Sequence, residues 1–475
     1  MKWVLYNLLF AVVYPFLLPG FLVRMAKRGG YAARMGDRFA LYPKEVLAQL
    51  MPNGKPVCGH EPTTTNHEPR TTDFVWIHAV SVGEVQVAGQ LMREWRKADP
   101  SVRFCFSTTS STGWKIAEHE LVAINPATQV SDLLIYNPLD FPNFVKSALK
   151  TIRPRAIVLT ESEIWPNFIL KAKKMGIPLF LINARVSDRS APRYRFARYF
   201  FKDVFGAFTR IFAQSDLDAS RIRAAMRPED ADKVVVTGSF KFDVAKRNEA
   251  KEAELKEWIF GEELKTQIEG EDRKAKILLG GSTWPGEDKV LLDIYKSILQ
   301  LQLPTSTLLV LAPRHFEKAD EVEVNIKSAG FTCIRRSRGE SFRSRPSASA
   351  SGPGPVYLCD TTGEMMGLFG ICDVAFVGKS LCAHGSQNMI EPCLCGKPTF
   401  VGPYTENFRP VMSDLLAAEA IVQVKDAEAL RSRIVEIFSR DNDVSSALGE
   451  RAKAAVLNRR GVVPRCVAAI REAMV

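Results

Sequence analysis

The sequence predicts an α/β chain built from two doubly wound, Rossmann-like domains that face a cleft, preceded by a membrane-associated helix. Three observations predict it. At 475 residues the chain is about three times the usual domain length, enough for two cores. Apolar runs of strand length alternate with helical patterns in two successive series, and unbroken apolar strands joined by helical crossovers belong to parallel sheets covered on both faces. A strongly charged stretch separates the two series.

The first element is Trp3–Val23, 21 residues without a charge, bracketed by Lys2 and by Arg24, Lys27, Arg28, Arg34 and Arg38. About 20 apolar residues can span a bilayer. Asn7, Pro15, Pro19 and Gly20 make a poor straight helix, so a span and a helix lying in the interface both fit. No small-x-small site precedes the basic cluster, which argues against a cleaved signal peptide. Positive residues stay inside, so the body is expected on the cytoplasmic side, held to the membrane through residues 1–40.

A Pro, Thr and His-rich loop at 52–73 leads into the first series. Strands are predicted at 74–80, 103–109, 132–136, 155–160, 178–184, 210–214 and 233–238, with helices including 84–97, 112–122, 141–150, 164–175 and 217–226. They make a domain over 41–243. Residues 244–273 read as a charged linker, and 274–440 as a second α/β domain with strands at 275–282, 306–312, 331–335, 355–359, 372–378, 398–402 and 420–424. Within it, the Ser, Pro and Arg-rich stretch 337–355 reads as a flexible insertion. The tail 441–475 is expected to form helices that cross back to the first domain.

Hydrophobic residues at 46% and charged residues at 25% exclude a disordered chain. The nine cysteines form no C-x-x-C pair and several lie in apolar runs, as reduced core residues would. The six histidines lack zinc-ligand spacing, so no metal site is expected. No G-x-G-x-x-G or Walker A motif opens either series, which weakens NAD and P-loop readings.

Polar residues gather after successive strands of the first series, where an α/β sheet binds its ligands. Ser81, Gly83 and Glu84 follow the first strand. Thr112 and Gly113 in "STTSSTG" follow the second, Glu161 and Glu163 in "TESEIWPN" the fourth, and Asn183 and Arg185 in "NARVSDRS" the fifth. Glu84 reads two ways: as the third residue of an S-x-x-E capping box, or as a catalytic base at the carboxyl end of a strand. Glu161 and Glu163 read as catalytic carboxylates or as acids favoured at a helix start. The second series offers "GGSTWPGE" with Ser282 and Thr283, "APRHFEK" with Arg314, "DTTGEM" with Gly363 and Glu364, and "GKSLCAHGSQNMIEP" with Ser380, Asn388 and Glu391. Gly-Ser-Thr loops opening helices present backbone N–H groups to a phosphate. Arg314 could grip phosphate through two bonds, and Glu391 could accept from a ribose hydroxyl pair.

Together "WIHAVSVGE", "STTSSTG", "YNPLDFP", "TESEIWPN", "NARVSDRS", "TGSFKFD", "APRHFEK", "DTTGEMMGLFGICDVAFVG" and "HGSQNMIEP" resemble the 3-deoxy-D-manno-octulosonic acid (Kdo) transferases of lipopolysaccharide synthesis, in consistent order from about residue 30 to 470. The resemblance implies a GT-B glycosyltransferase at the inner membrane. It implies CMP-Kdo as donor, a lipid A precursor (lipid IVA) as acceptor, inversion at the anomeric carbon and no metal or other cofactor. It also implies that Glu84 is the general base and that Arg314, Gly363, Glu364, Asn388 and Glu391 hold CMP. The chain departs from the family pattern at Lys379 for Gly, at Ser386 and Gln387 for Gly-His, at Trp284 for His and at Ser239 for Asn.

The net charge of +11 is uneven: between Asn183 and Arg223 stand nine Arg or Lys against four Asp, interleaved with Tyr194, Phe196, Tyr199, Phe200, Phe201, Phe205, Phe208 and Phe212. Such a stretch suits anionic headgroups and acyl chains, or else an ordinary core. Two other readings compete. One is an enzyme of the same architecture acting on UDP-GlcNAc, such as a nucleotide-sugar epimerase, which needs no membrane segment. The other is a membrane-tethered basic binding protein, prompted by "RRSRGESFRSR", although no nucleic-acid motif is present and no nucleic-acid partner is expected.

Overall fold

The apolar runs fold as parallel strands because both faces of each are covered by helices, which leaves no polar side for water. In the computed structural model the described residues are 2–4, 6–8, 12, 16, 20, 32–50, 74–122, 124–125, 130–244, 246–261, 275–303, 305–341, 354–439 and 442–474. The chain forms two units, Met1–Phe240 with Gly461–Val475, and Lys241–Arg460.

The first unit holds seven strands: β1 (Phe74–His78), β2 (Arg103–Thr108), β3 (Leu133–Tyr136), β4 (Ala156–Thr160), β5 (Leu179–Ala184), β6 (Arg210–Ala213) and β7 (Val234–Val236). Their order is β3-β2-β1-β4-β5-β6-β7, and every pairing is parallel. The order reverses between β1 and β4, so the crossovers leave in opposite directions there and open a crevice above the strand ends.

The second unit repeats the plan with β8 (Ala275–Thr283), β9 (Ser306–Pro313), β10 (Cys333–Arg335), β11 (Val356–Leu358), β12 (Val374–Val377), β13 (Thr399–Val401) and β14 (Val422–Gln423). The order is β10-β11-β9-β8-β12-β13-β14, and the reversal falls between β8 and β12. Each sheet is a buried layer: every residue of β1, β2, β4 and β5 is buried, as is every residue of β11, β12 and β13.

Two stretches differ from the sequence reading, and the tail follows it in part. The charged segment after residue 244 carries a helix, Glu249–Phe260, whose Leu255, Trp258, Ile259 and Phe260 are buried in the second unit's core. The tail divides: Ala452 and Val456 of the helix Asn442–Asn458 lie in the second unit's core, while Val462, Val463, Cys466, Val467 and Ile470 of the helix Val462–Glu472 pack with Val85, Leu91 and Met92 of the first. The stretch expected to be a flexible insertion begins as structure, because Ser337 donates from its amide (2.9 Å) and hydroxyl (2.5 Å) to Asp360. Residues 342–353 and the loop 52–73 lie outside the described residues.

Much of Trp3–Val23 also lies outside them, but the described positions are helical. One face docks on the first unit: Lys2 pairs with Asp203, Trp3 sets its ring edge against Phe200, Tyr6 donates to Asp140 Oδ2 at 3.5 Å, and Asn7 Oδ1 accepts from Asn167 at 2.8 Å. Val4, Leu8, Val12 and Phe16, four residues apart, are exposed. Among the described residues no helix is long and apolar enough to cross a membrane. The aromatic stretch divides in the same manner: Phe205, Phe208 and Phe212 are buried, whereas Phe196 is 95% and Tyr199 61% exposed. The described cysteines form no disulfide, and Cys105, Cys359, Cys372, Cys393 and Cys466 are buried.

Candidate functional site

The reversal point of the first sheet brings together the loops after β1 and β4, and with them Glu84, Glu161 and Glu163. Ser81 caps the helix Val82–Ala98: its Oγ accepts from Glu84 N at 3.3 Å, and Glu84 Oε2 accepts from Val80 N at 2.8 Å and Ser81 N at 3.4 Å. The capping box is therefore complete. Thr160 Oγ1, at the end of β4, stands 3.0 Å from the His78 carbonyl and 3.4 Å from the same Glu84 oxygen, so its single proton serves both. Glu84 Oε1 accepts nothing from the described residues, and a side chain at Gly83 would meet nothing within 4 Å.

Burial pushes the Glu84 carboxyl above its ordinary range, the Val80 and Ser81 bonds lower it, and the Glu163 and Glu161 charges raise it. The helix start alone would keep Glu84 ionised. Desolvation outweighs it, and the result is a carboxylate of enhanced basicity.

The neighbouring loops are held around this group. Ser110 caps the helix Ser111–Glu120 by accepting from Gly113 N at 3.0 Å and donates to the Val80 carbonyl at 2.7 Å, which ties the second loop to the Glu84 turn. A Cβ at Gly113 would stand 2.6 Å from Thr108 Oγ1, so only glycine fits, while Thr112 is exposed. Glu161 has a left-handed backbone (φ 48°), as does the buried Asn183 (φ 51°). Non-glycine residues rarely adopt this conformation, and it concentrates at functional sites. The Glu161 carbonyl accepts from the Arg185 amide at 3.3 Å. Among the described residues the Arg185 guanidinium has no ion-pair partner.

The second unit has an equivalent reversal point, but its loop amides are already occupied. Fully buried Glu287, at the start of the helix Glu287–Gln300, accepts through Oε1 from Ser380 N (3.1 Å), Leu381 N (3.0 Å) and Cys382 N (3.3 Å). Its Oε2 accepts from Lys379 N (2.9 Å) and Trp284 N (2.8 Å). The nest read from "GKSLCAHGS" as a phosphate cradle thus holds the chain's own carboxylate. Ser380 is fully buried, donates to Val377 O at 2.5 Å and accepts from Gly402 N at 2.9 Å. A Cβ at Gly378 would lie 2.3 Å from the Ser282 carbonyl, so glycine lets the β12 loop touch the end of β8, where Ser282 takes φ 53° and Thr283 is buried.

Glu364 is also engaged: Arg336 grips both its oxygens, and Thr361 and Cys359 donate to Oε2. Burial raises its carboxyl, but these bonds win and hold it below the usual range. Gly363 beside it has φ 81° and open space. Asn388 donates to Glu391 Oε1 at 3.0 Å and accepts from Ile390 N at 3.1 Å. Burial raises Glu391, while Asn388 and the charge of Arg314 lower it. Arg314 is exposed, without an ion pair among the described residues. Two departures from the family pattern meet: the Lys379 ammonium lies 4.6 Å from the ring centroid of Trp284. Among the described residues no cluster of three metal-ligating side chains occurs.

The family model described as 3-deoxy-D-manno-octulosonic-acid transferase (kdotransferase) matches residues 33–244. The 3-deoxy-D-manno-octulosonic acid transferase of Bordetella pertussis is 31% identical over 405 residues, covering 84% of this chain and 87% of the relative. That of Haemophilus influenzae is 30% identical over 391 residues, covering 82% and 85%. The chain belongs to the Kdo transferase family. It is a glycosyltransferase, and membership sets aside the epimerase and basic-binder readings. Anabaena Alr3699/HepE, solved with UDP, superposes with TM-score 0.53 at 13% identity over 84% of this chain and 99% of that one. With the two seven-stranded parallel sheets, this likeness gives the Kdo transferase a GT-B-type fold.

Sequence reasoning missed several residues of this Kdo transferase: His78, Ser110, Thr160 and Trp165 around Glu84, and Glu287 and Arg336 in the second unit. Ser110 carried a signal, since it precedes a helical pattern in a Ser-Thr run. Arg336 carried none, and Glu287 carried only its local bond to Trp284 N, because their other partners are remote in sequence.

Proposed function

We propose that this enzyme transfers Kdo from CMP-Kdo to a lipid A precursor such as lipid IVA, with inversion at the anomeric carbon, Glu84 as general base and no metal. The observation that carries the reading is the divided state of the Glu84 carboxylate. Oε2 is held by two amides and Thr160, while Oε1 accepts nothing from the described residues. A group fixed at one oxygen and free at the other is oriented to take a proton from a sugar hydroxyl as that oxygen attacks the anomeric carbon. The C–O bond to CMP then breaks with its electrons on the phosphate.

Arg314 and Lys379 meet the phosphate charge, and Glu391, oriented by Asn388, accepts from the ribose. Arg185, unpaired among the described residues, offers charge to an acceptor phosphate. The exposed stripe Val4, Leu8, Val12 and Phe16, with Phe196 and Tyr199, supports a seat on the cytoplasmic face of the inner membrane, where a lipid acceptor is reached. Vesicle binding that survives charge reversal at Arg193, Arg195 and Arg198 would remove those residues from that surface.

The test compares Kdo transfer to a tetra-acylated lipid A precursor, with CMP-Kdo generated in situ, by wild type and Glu84→Gln. The expected result is a loss of roughly 10²- to 10⁴-fold in kcat with CMP binding retained. CMP release without a glycolipid product would overturn the acceptor, and full activity in Glu84→Gln would overturn the base.

A further inference from the structure

His78, the last residue of β1, is fully buried, and its Nε2 has no hydrogen-bond partner among the described residues. Its Nδ1 lies 3.1 Å from the Ser107 carbonyl and 2.9 Å from Ser107 Oγ. A carbonyl can only accept. Ser107 Oγ already accepts from Trp76 Nε1 at 2.8 Å and gives its one proton to Asn137 Oδ1 at 3.3 Å. Nδ1 therefore carries the hydrogen, and in the neutral ring Nε2 is a bare lone pair.

The atom that Nε2 faces is Glu163 Oε2, 3.6 Å away. Two acceptors at that distance in a buried site repel unless a proton stands between them. Trp165 Nε1 donates to the same oxygen at 2.9 Å, so Glu163 is anchored where it faces the imidazole.

We propose that His78 is a positioning residue that shares one proton with Glu163, so that the pair carries no net charge and Glu84 stays ionised beside it. This rests on Glu84 as the base. The titratable groups facing the pair are Glu84 from the helix Val82–Ala98, Glu161 from the same loop, and Tyr194 from the helix Ser190–Phe196. From β2 it meets the neutral Ser107. Three full carboxylate charges at this reversal point would each raise the proton affinity of the others, and a base must be unprotonated to act. Neutralising Glu163 removes one of the two charges that act on Glu84.

The experiment measures kcat/KM against pH for wild type, Glu84→Gln, His78→Gln, Glu163→Gln and the double variant His78→Gln/Glu163→Gln, with thermal melts as folding controls. The side chain of glutamine can donate toward Glu163 but carries no charge. His78→Gln is expected to move the acid limb of the profile upward by about half a pH unit or more, and the double variant to return it to the wild-type position or below. A purely structural role would lower Tm or kcat and leave the limb in place.

In protein labelled at histidine, NMR is expected to show one imidazole whose Nε2 proton is held in a hydrogen bond, and to lose that signal in Glu163→Gln. This second readout holds if His78→Gln fails to fold. An unmoved limb in folded His78→Gln, or identical histidine NMR signals in wild type and Glu163→Gln, overturns the proposal. Full activity in Glu84→Gln instead overturns the base reading, while the NMR result still decides whether the proton is shared.

Discussion

Asn183 donates from Nδ2 to Glu161 Oε1 at 3.2 Å, and both residues hold left-handed backbones. Asn183 is locked from three sides, since its Oδ1 also accepts from Phe240 N at 3.1 Å and its carbonyl from Gln214 at 2.9 Å. Asn183→Gly keeps the backbone conformation without strain but releases Glu161. It is expected to lower kcat about tenfold or more, while Asn183→Ala also lowers Tm, because alanine adds roughly 1–2 kcal/mol of left-handed strain. Steady-state kinetics and melts of both variants check this.

Glu287 is the keystone of the 379–382 loop. In Glu287→Gln an amide NH₂ replaces one acceptor oxygen and leaves buried N–H groups unpaired, at about 1–3 kcal/mol each. The expected outcome is loss of hydrogen-exchange protection at the amides of Lys379 to Cys382, together with weakened CMP binding. Protection at wild-type level would show that the loop holds itself.

Lys379 keeps a backbone better suited to glycine, at φ 58°, with its ammonium over Trp284. Lys379→Gly relieves about 1–2 kcal/mol of strain and gives up about 0.5–1 kcal/mol of cation–π attraction, so Tm is expected to hold or rise slightly. CMP affinity is expected to fall roughly tenfold, the scale of one charge-assisted bond. Isothermal titration separates the two effects, and unchanged affinity would remove Lys379 from the donor site.

Asp140 caps the helix Pro166–Lys174 through Asn167 N (3.0 Å) and Phe168 N (2.8 Å), and burial pushes its carboxyl up to about 7. Its folded value lies above the unfolded one, so its contribution to stability is complete below the ordinary value of 3.8 and is lost as pH rises through about 7. Melts from pH 4 to 8 are expected to show this fall in wild type, and the difference from Asp140→Asn isolates it.

What was legible in the sequence follows from the range of each interaction. Strands such as Phe74–His78 could be read because both faces are buried and the run is unbroken. Glu84 could be read because its cap is three residues away. The Glu287 nest could not, since all its amides but that of Trp284 lie more than 90 residues further on. His78 was hidden because a histidine in a buried strand looks like core until its neighbour across the sheet is known. Arg336 sat in "RRSRGESFRSR", a run that reads as a basic surface, and only its ion pairs with Glu364 and Glu254 give it a place.

The division of the tail at Arg460 and Gly461 has a consequence for synthesis on the ribosome. The helix Val462–Glu472 covers Val85, Leu91 and Met92, yet it is translated after the entire second unit. The apolar flank of the Glu84 helix therefore stays bare until residues 461–475 have left the exit tunnel. A truncated polypeptide lacking residues 461–475 would expose that flank for good, to chaperones and proteases rather than to substrate.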